Sequence, residues 1–181
     1  RKRSNVLSIS IVGYTNAGKS TLFNYLTHEK ILAENKLFAT LDTTSRRLFL
    51  EEGHSVVISD TVGFIKNLPT TLIEAFKSTL EEATGSDLLI HVVDVSNTNK
   101  TEQIAQVAKI LKEIKAHEIP QLLVLNQIDK IDLKSGYDRD EYGNINHIQL
   151  SAKTGDGIEF LKQAIVEYSQ RQNNQRIGQH A

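Results

Sequence analysis

The chain has 181 residues, 39% of them hydrophobic, enough for one domain that buries roughly 70% of the surface its unfolded form exposes and too few for a second full domain. Its 21 Lys and Arg stand against 22 Asp and Glu, so the formal net charge of −1 gives no global electrostatic footprint for nucleic acid, and such a partner must be met locally or through other parts of a longer polypeptide. With no cysteine there is neither a disulfide framework nor a thiolate metal site, and with no apolar run near the roughly 18 residues of a membrane span the cytoplasm is the expected compartment.

Apolar runs of strand length alternate with helix-period segments from Val6 to Tyr168, the pattern of an α/β fold whose mainly parallel sheet is covered by helices on both faces. The expected architecture is a three-layer sandwich around a six-stranded sheet with one antiparallel edge strand. Val6 to Val12 is the first strand, and Gly13-Tyr14-Thr15-Asn16-Ala17-Gly18-Lys19-Ser20 follows it directly. That octet matches the phosphate-cradling P-loop in the strand-then-helix context the pattern requires. Its glycines let successive backbone N–H groups point inward at the start of the next helix. Lys19 neutralises outer phosphates, and the Ser20 hydroxyl is a hard oxygen ligand of the kind Mg²⁺ prefers. Lys19 to Thr27 then reads as a helix, and His28 to Thr44, lacking periodicity, as a long loop of the functional kind.

Arg47 to Leu50, the turn Glu51-Glu52-Gly53 and Ser55 to Ser59 read as a hairpin that supplies the antiparallel edge. Asp60-Thr61-Val62-Gly63 closes its second strand, placing a carboxylate at a strand's carboxyl end, where open α/β sheets bind ligands. Asp60 can hold a Mg²⁺ shell through water, and Gly63 can bring a backbone N–H against a terminal phosphate. Taken alone this tetrad is an ordinary strand-end turn; its weight comes from lying one hairpin beyond the P-loop. A helix is expected over Thr71 to Thr84. Leu88 to Val93 and Gln121 to Leu125 are buried strands separated by an amphipathic helix over Thr101 to His117, which Pro120 helps to stop.

Asn126-Gln127-Ile128-Asp129 closes the second of those strands. A carboxylate at Asp129 accepts both the N1–H and the 2-amino group of guanine, a donor pair adenine lacks, so the nucleotide is expected to be GTP rather than ATP. Asn126 can tie this loop to the P-loop. Ile131 to Gly143 is polar and turn-rich, Ile145 to Leu150 a short last strand, and Ser151-Ala152-Lys153 after it can offer the Ala152 N–H to the guanine O6. Ile158 to Tyr168 reads as the closing helix, and the glutamine- and asparagine-rich stretch from Gln170 to Ala181 as a frayed tail. The histidines show no metal-ligand spacing; His91, in an apolar strand, is expected to be a core residue, and Asp87, Asp94 and Asp156 structural.

These pieces, in order on successive strand ends, resemble the Ras-like translation-factor class of GTPases across essentially the whole chain. More closely, the chain resembles the GTPase domain of the HflX family, through Gly13 to Ser20 continued by Thr21-Leu22-Phe23-Asn24, through Leu37-Phe38-Ala39-Thr40-Leu41-Asp42, and through Asp60-Thr61-Val62-Gly63-Phe64-Ile65. The first stretch is shared with the Obg and Era relatives; the last two together are specific. The resemblance implies a cytoplasmic enzyme that converts GTP to GDP, binds the large ribosomal subunit and splits stalled or idle ribosomes. It also implies flanking ribosome-binding parts and a monomeric domain over residues 6–170, with Arg1-Lys2-Arg3 at the end of a basic linker. The absence of methionine even at position 1 is what an excised segment would show.

The resemblance assigns catalytic roles to Lys19, Thr40 and Gly63, and a Mg²⁺ site to Ser20, Thr40 and Asp60. Thr40 is the family's mobile-loop threonine, with Thr43 and Thr44 as neighbouring rivals. Thr43 stands where the family usually has proline, which loosens the loop, and Gln127 stands where the common base-reading tetrad has lysine. Phe64 occupies the place where Ras-like enzymes carry a water-orienting glutamine, so slow basal hydrolysis is expected, since a supplied cation can be worth roughly 10³ to 10⁵ in rate. Asn16 resembles the asparagine of relatives that use K⁺ for this; a loop-supporting hydrogen-bonding role is the alternative. The rival to ribosome splitting is a slow GTP-dependent regulatory switch of the Obg and Era type.

Overall fold

A computed structural model describes residues 6–27, 44–50, 55–61, 63, 78, 80 and 82–179. The strands are β1 (Leu7–Gly13), β2 (Thr44–Phe49), β3 (Ser55–Asp60), β4 (Leu88–Asp94), β5 (Gln121–Asn126), β6 (Gly136–Arg139) and β7 (Ile145–Gln149). The helices are α1 (Lys19–Thr27), α2 (Lys100–Glu113) and α3 (Ile158–Gln179). All the described strands join one sheet in the order β2-β3-β1-β4-β5-β7-β6. The inner pairings are parallel and both edges, β2 on β3 and β6 on β7, are antiparallel.

Among the described residues the sheet has seven strands, where six were expected. The addition, β6, lies inside the stretch read as polar and turn-rich, and Tyr137, Asp138 and Arg139 in it are exposed. Backbone pairing with β7, rather than apolar burial, makes it a strand, so hydropathy carries no trace of it. A tight turn delivers it: Gly143 N–H donates to Asp140 O at 3.0 Å, and Tyr142 and Asn144 N–H groups donate to Asp140 Oδ1 at 2.9 and 3.0 Å. From β6, Tyr137 tilts onto Phe160 of α3 with ring centroids 5.2 Å apart, and Arg139 grips Glu167 at 2.8 and 3.3 Å.

The inner strands are near-continuous apolar runs because both their faces are covered. On one face α1 and α3 bury Leu22, Leu26, Leu161 and Ile165 against Ile9, Ile11, Ile58, Ile90 and Ile148. On the other, α2 seats Val107 and Leu111 against Val12 and Leu89, with Leu80 and Ala83 completing the cluster. Most of the helix expected over Thr71 to Thr84, and the long loop before β2, lie outside the described residues; Glu82–Gly85 form a 3-10 turn.

Two helix ends differ from expectation. α2 stops before His117 because Lys115 takes a left-handed φ of 61° and Ala116 N–H folds back to Leu111 O at 2.7 Å. α3 continues past Tyr168 to Gln179, through the stretch expected to fray. Beyond Ser169 every described residue is at least partly exposed, so this extension rests on intrahelical bonds and on good helix formers such as Gln and Arg. Among the described residues no helix is long and apolar enough to cross a membrane.

His91, on β4 between Val12 of β1 and Leu123 of β5, is a core residue, 5% exposed. Burial lowers its pKa from the ordinary 6.5 to about 4. Above pH 6.5 it is neutral in folded and unfolded chains alike; as pH falls toward 4 the unfolded chain binds the proton first, and stability declines by up to about 1.4 kcal/mol per pH unit. Between pH 7 and pH 5 the parent should therefore lose about 2 kcal/mol more than His91→Leu, measured by urea unfolding. Parallel losses would show that His91 does not titrate as a buried neutral imidazole.

Candidate nucleotide-binding site

The carboxyl ends of β1, β3, β5 and β7 lie on one rim of the sheet, and the loops leaving them bring the separate motifs together. After β1 the chain turns with Ala17 N–H on Tyr14 O at 3.2 Å and enters α1 with Leu22 N–H on Gly18 O at 2.9 Å. Asn16 and Gly18 hold left-handed φ values of 66° and 91°. Glycine is required at 18 by space as well as by angle, because a Cβ there would stand 2.2 Å from Asn126 Nδ2. Thr15, Ser20 and Thr21 are partly exposed and Ala17 is buried.

The side expected to meet the phosphates is charged and enclosed. Lys19, 6% exposed, donates from Nζ to Asp60 Oδ1 at 2.8 Å and to Thr61 O at 2.5 Å. Ser20 Oγ donates to the other Asp60 oxygen at 3.0 Å, while Thr61 Oγ1 ties β3 to β1 through Ile11 O at 2.6 Å. The hydroxyl and the carboxylate named for Mg²⁺ thus stand side by side. Gly63 lies against the loop, its position leaving only 2.8 Å between a would-be Cβ and Thr15 Cγ2.

The side expected to meet the base is a set of ties between loops. Asn126, 2% exposed, donates from Nδ2 to Ala17 O at 2.9 Å and accepts from Ala152 N–H at 2.9 Å. The Ala152 N–H expected to meet guanine is thus engaged by Asn126 here. Asp129 is exposed but aimed: Ser151 Oγ donates to its Oδ1 at 2.8 Å, and the buried Ile128 anchors the turn. Gln127, at a left-handed φ of 69°, donates from Nε2 to Asn16 O at 2.8 Å, so it holds the phosphate loop although it lacks a lysine's charge. Lys153 is exposed.

The structure therefore gathers Gly13 to Thr21, Asp60, Thr61, Gly63, Asn126 to Asp129 and Ser151 to Lys153 along one rim. Phe38, Ala39, Thr40, Leu41, Asp42, Val62 and Phe64 lie outside the described residues. Sequence reasoning missed Tyr25 of α1, whose hydroxyl lies so close to Gly155, in the loop after β7, that no Cβ would fit there. Its spacing matches no motif, and only the fold places the two together.

Gly18→Ala combines the left-handed strain with the Asn126 clash, each of a kind that costs about 1–3 kcal/mol. Its nucleotide affinity by titration calorimetry should fall at least about tenfold, more than the melting temperature alone accounts for. Parental affinity would show that the loop tolerates displacement from Asn126.

Residues 8–127 match a protein family described as 50S ribosome-binding GTPase. GTPase HflX of Escherichia coli (strain K12) is 49% identical over 168 residues, covering 92% of this chain and 39% of that protein. GTPase HflX of Caldanaerobacter subterraneus subsp. tengcongensis is 48% identical over 166 residues, 91% of this chain and 37% of the relative. The chain thus spans 37–39% of the length of these relatives. Among solved structures, a GTP-binding protein from the hyperthermophilic archaeon Sulfolobus solfataricus in complex with GDP aligns with a TM-score of 0.72 at 30% identity, over 91% of this chain and 53% of that one. The chain belongs to this GTPase family, as a G domain of the HflX type.

Proposed function

We propose that the domain is the nucleotide-driven part of a cytoplasmic protein that binds the large ribosomal subunit and splits stalled or idle ribosomes. The match of residues 8–127 to a 50S ribosome-binding family carries this reading. The ribosome is met through other parts of the longer protein, in keeping with the near-neutral charge of this chain.

Within the site, the guanine edge is read by Asp129, which Ser151 holds in place. Lys19 exchanges its bond to Asp60 for the outer phosphates, a charge-assisted contact at a nearly buried ammonium. Ser20 and Thr40 would hold Mg²⁺, with Asp60 supporting its water shell; the adjacency of Ser20 Oγ and Asp60 fits a metal that takes few protein oxygens. Mg²⁺, when bound, neutralises charge developing on the transferred phosphoryl group. Gly63 offers its N–H to the terminal phosphate. Phe64 cannot polarise water, so the attacking water is oriented by a group from outside the domain, with K⁺ at Asn16 as a further source of positive charge.

Asp129→Asn replaces an acceptor pair with one acceptor and one donor. GTP binding should weaken and xanthosine triphosphate, which carries a carbonyl at the 2-position, should bind better; unchanged preference in titrations would overturn the base assignment.

Single-turnover GTP hydrolysis compared for this domain and the full-length protein, each with and without ribosomes, tests the wider reading. Slow hydrolysis by the domain, raised modestly by K⁺ over Na⁺ and strongly only for the full-length protein on ribosomes, is expected. Rapid turnover by the domain alone in Na⁺ buffer, or full-length protein indifferent to ribosomes, would contradict it.

A further inference from the structure

Tyr14 follows the first glycine of the phosphate loop, and its side chain turns toward α2. It packs with Ile110 and Ile114 against the cluster of Val12, Leu89, Val107 and Leu111. Its hydroxyl donates to Gln106 Oε1 on α2, 92 residues along the chain, and Gln106 Nε2 donates in turn to Glu102 Oε1 at 3.3 Å. Burial first, and then the negative charge of Glu102, hold the phenol above its ordinary pKa, so it remains a neutral donor at physiological pH. The ties from Asn126 and Gln127 hold the other half of the loop, at Ala17 and Asn16. The loop is thus clamped on one side by the base-reading segment and on the other by a helix that contributes no residue to the nucleotide site.

We propose that Tyr14 is a positioning residue for GTP: its bond to Gln106 fixes the first turn of the loop that holds the triphosphate in the reading above, so that α2 sets how slowly the nucleotide leaves. The loop's backbone N–H groups act as an anion cradle only while they converge, and a turn free to rock diverges them. A tyrosine serves here because its ring enters the apolar layer between loop and helix while its hydroxyl reaches past that layer to an acceptor. Helix α2 exposes Glu102, Lys109, Lys112 and Glu113 to solvent, so contact on that outer face bears on the phosphates through Gln106.

The test measures dissociation of a fluorescent, non-hydrolysable GTP analogue from the 181-residue chain and from Tyr14→Phe, Gln106→Met and the double variant. Each single change should speed release about five-fold, the factor one net hydrogen bond carries, and the double should be no faster than either single. Release at the parental rate in either single variant overturns the proposal, whether or not the nucleotide-free melting temperature falls, because a merely structural contact moves only the latter. So does a double variant whose effect is the product of the singles. Lys19→Ala runs beside them: lost binding confirms the loop as the phosphate site, whereas parental affinity overturns that assignment and the proposal with it.

Discussion

Asn126 engages both ends of its buried carboxamide on other loops, its Nδ2 on Ala17 of the phosphate loop and its Oδ1 on Ala152 after β7. A side-chain amide at 2% exposure cannot fall back on water, and leaving either end unpaired costs about 1–3 kcal/mol. The two loops are therefore held at a fixed distance by one residue at the end of β5. This works only because β1, β4, β5 and β7 run parallel, so that their carboxyl ends arrive on the same rim. Asp129 inherits its place from the same arrangement: it is three residues beyond Asn126, and Ser151, one before Ala152, steadies its carboxylate.

The phosphate side answers to a different constraint. Lys19 is nearly enclosed, and a buried ammonium is tolerable only when paired and hydrogen-bonded. Asp60 and the Thr61 carbonyl meet that demand, which obliges β3 to end beside the start of α1. The pairing of β1 with β3, in register from Leu7 with Val56 to Ile11 with Asp60, delivers that placement. Strand order and charge neutralisation are thus one problem with one solution.

Much of this was legible in the sequence because apolar strands and motif loops alternate, and each motif sits where the sheet must end. The inner strands were readable because burial on both faces leaves unbroken runs such as Leu88 to Val93. β6 was not, since an edge strand of exposed residues owes its existence to a neighbour's backbone. The length of α3 was not, since its last turns bury nothing and have no apolar period to follow. Gln127 shows a third kind of limit. In the sequence it is a departure from the usual lysine and nothing more, while the geometry shows its neutral amide donating to the Asn16 carbonyl, a partner that only the fold brings within reach.

The antiparallel strands at the two ends of the sheet also bear on how the domain behaves among many copies of itself. A parallel sheet that simply stopped would present a row of unpaired amides and carbonyls as a template for another chain. Here one border is a strand of four residues, Gly136–Arg139, carrying Asp138 and Arg139, and the other carries the exposed Arg46 and Arg47. A strand that short gives a partner little to pair with, and paired arginines would bring like charges together if two such borders met. Colloidal protection is thereby built into the two borders of the sheet, at a distance from the loops that the Asn126 carboxamide holds together.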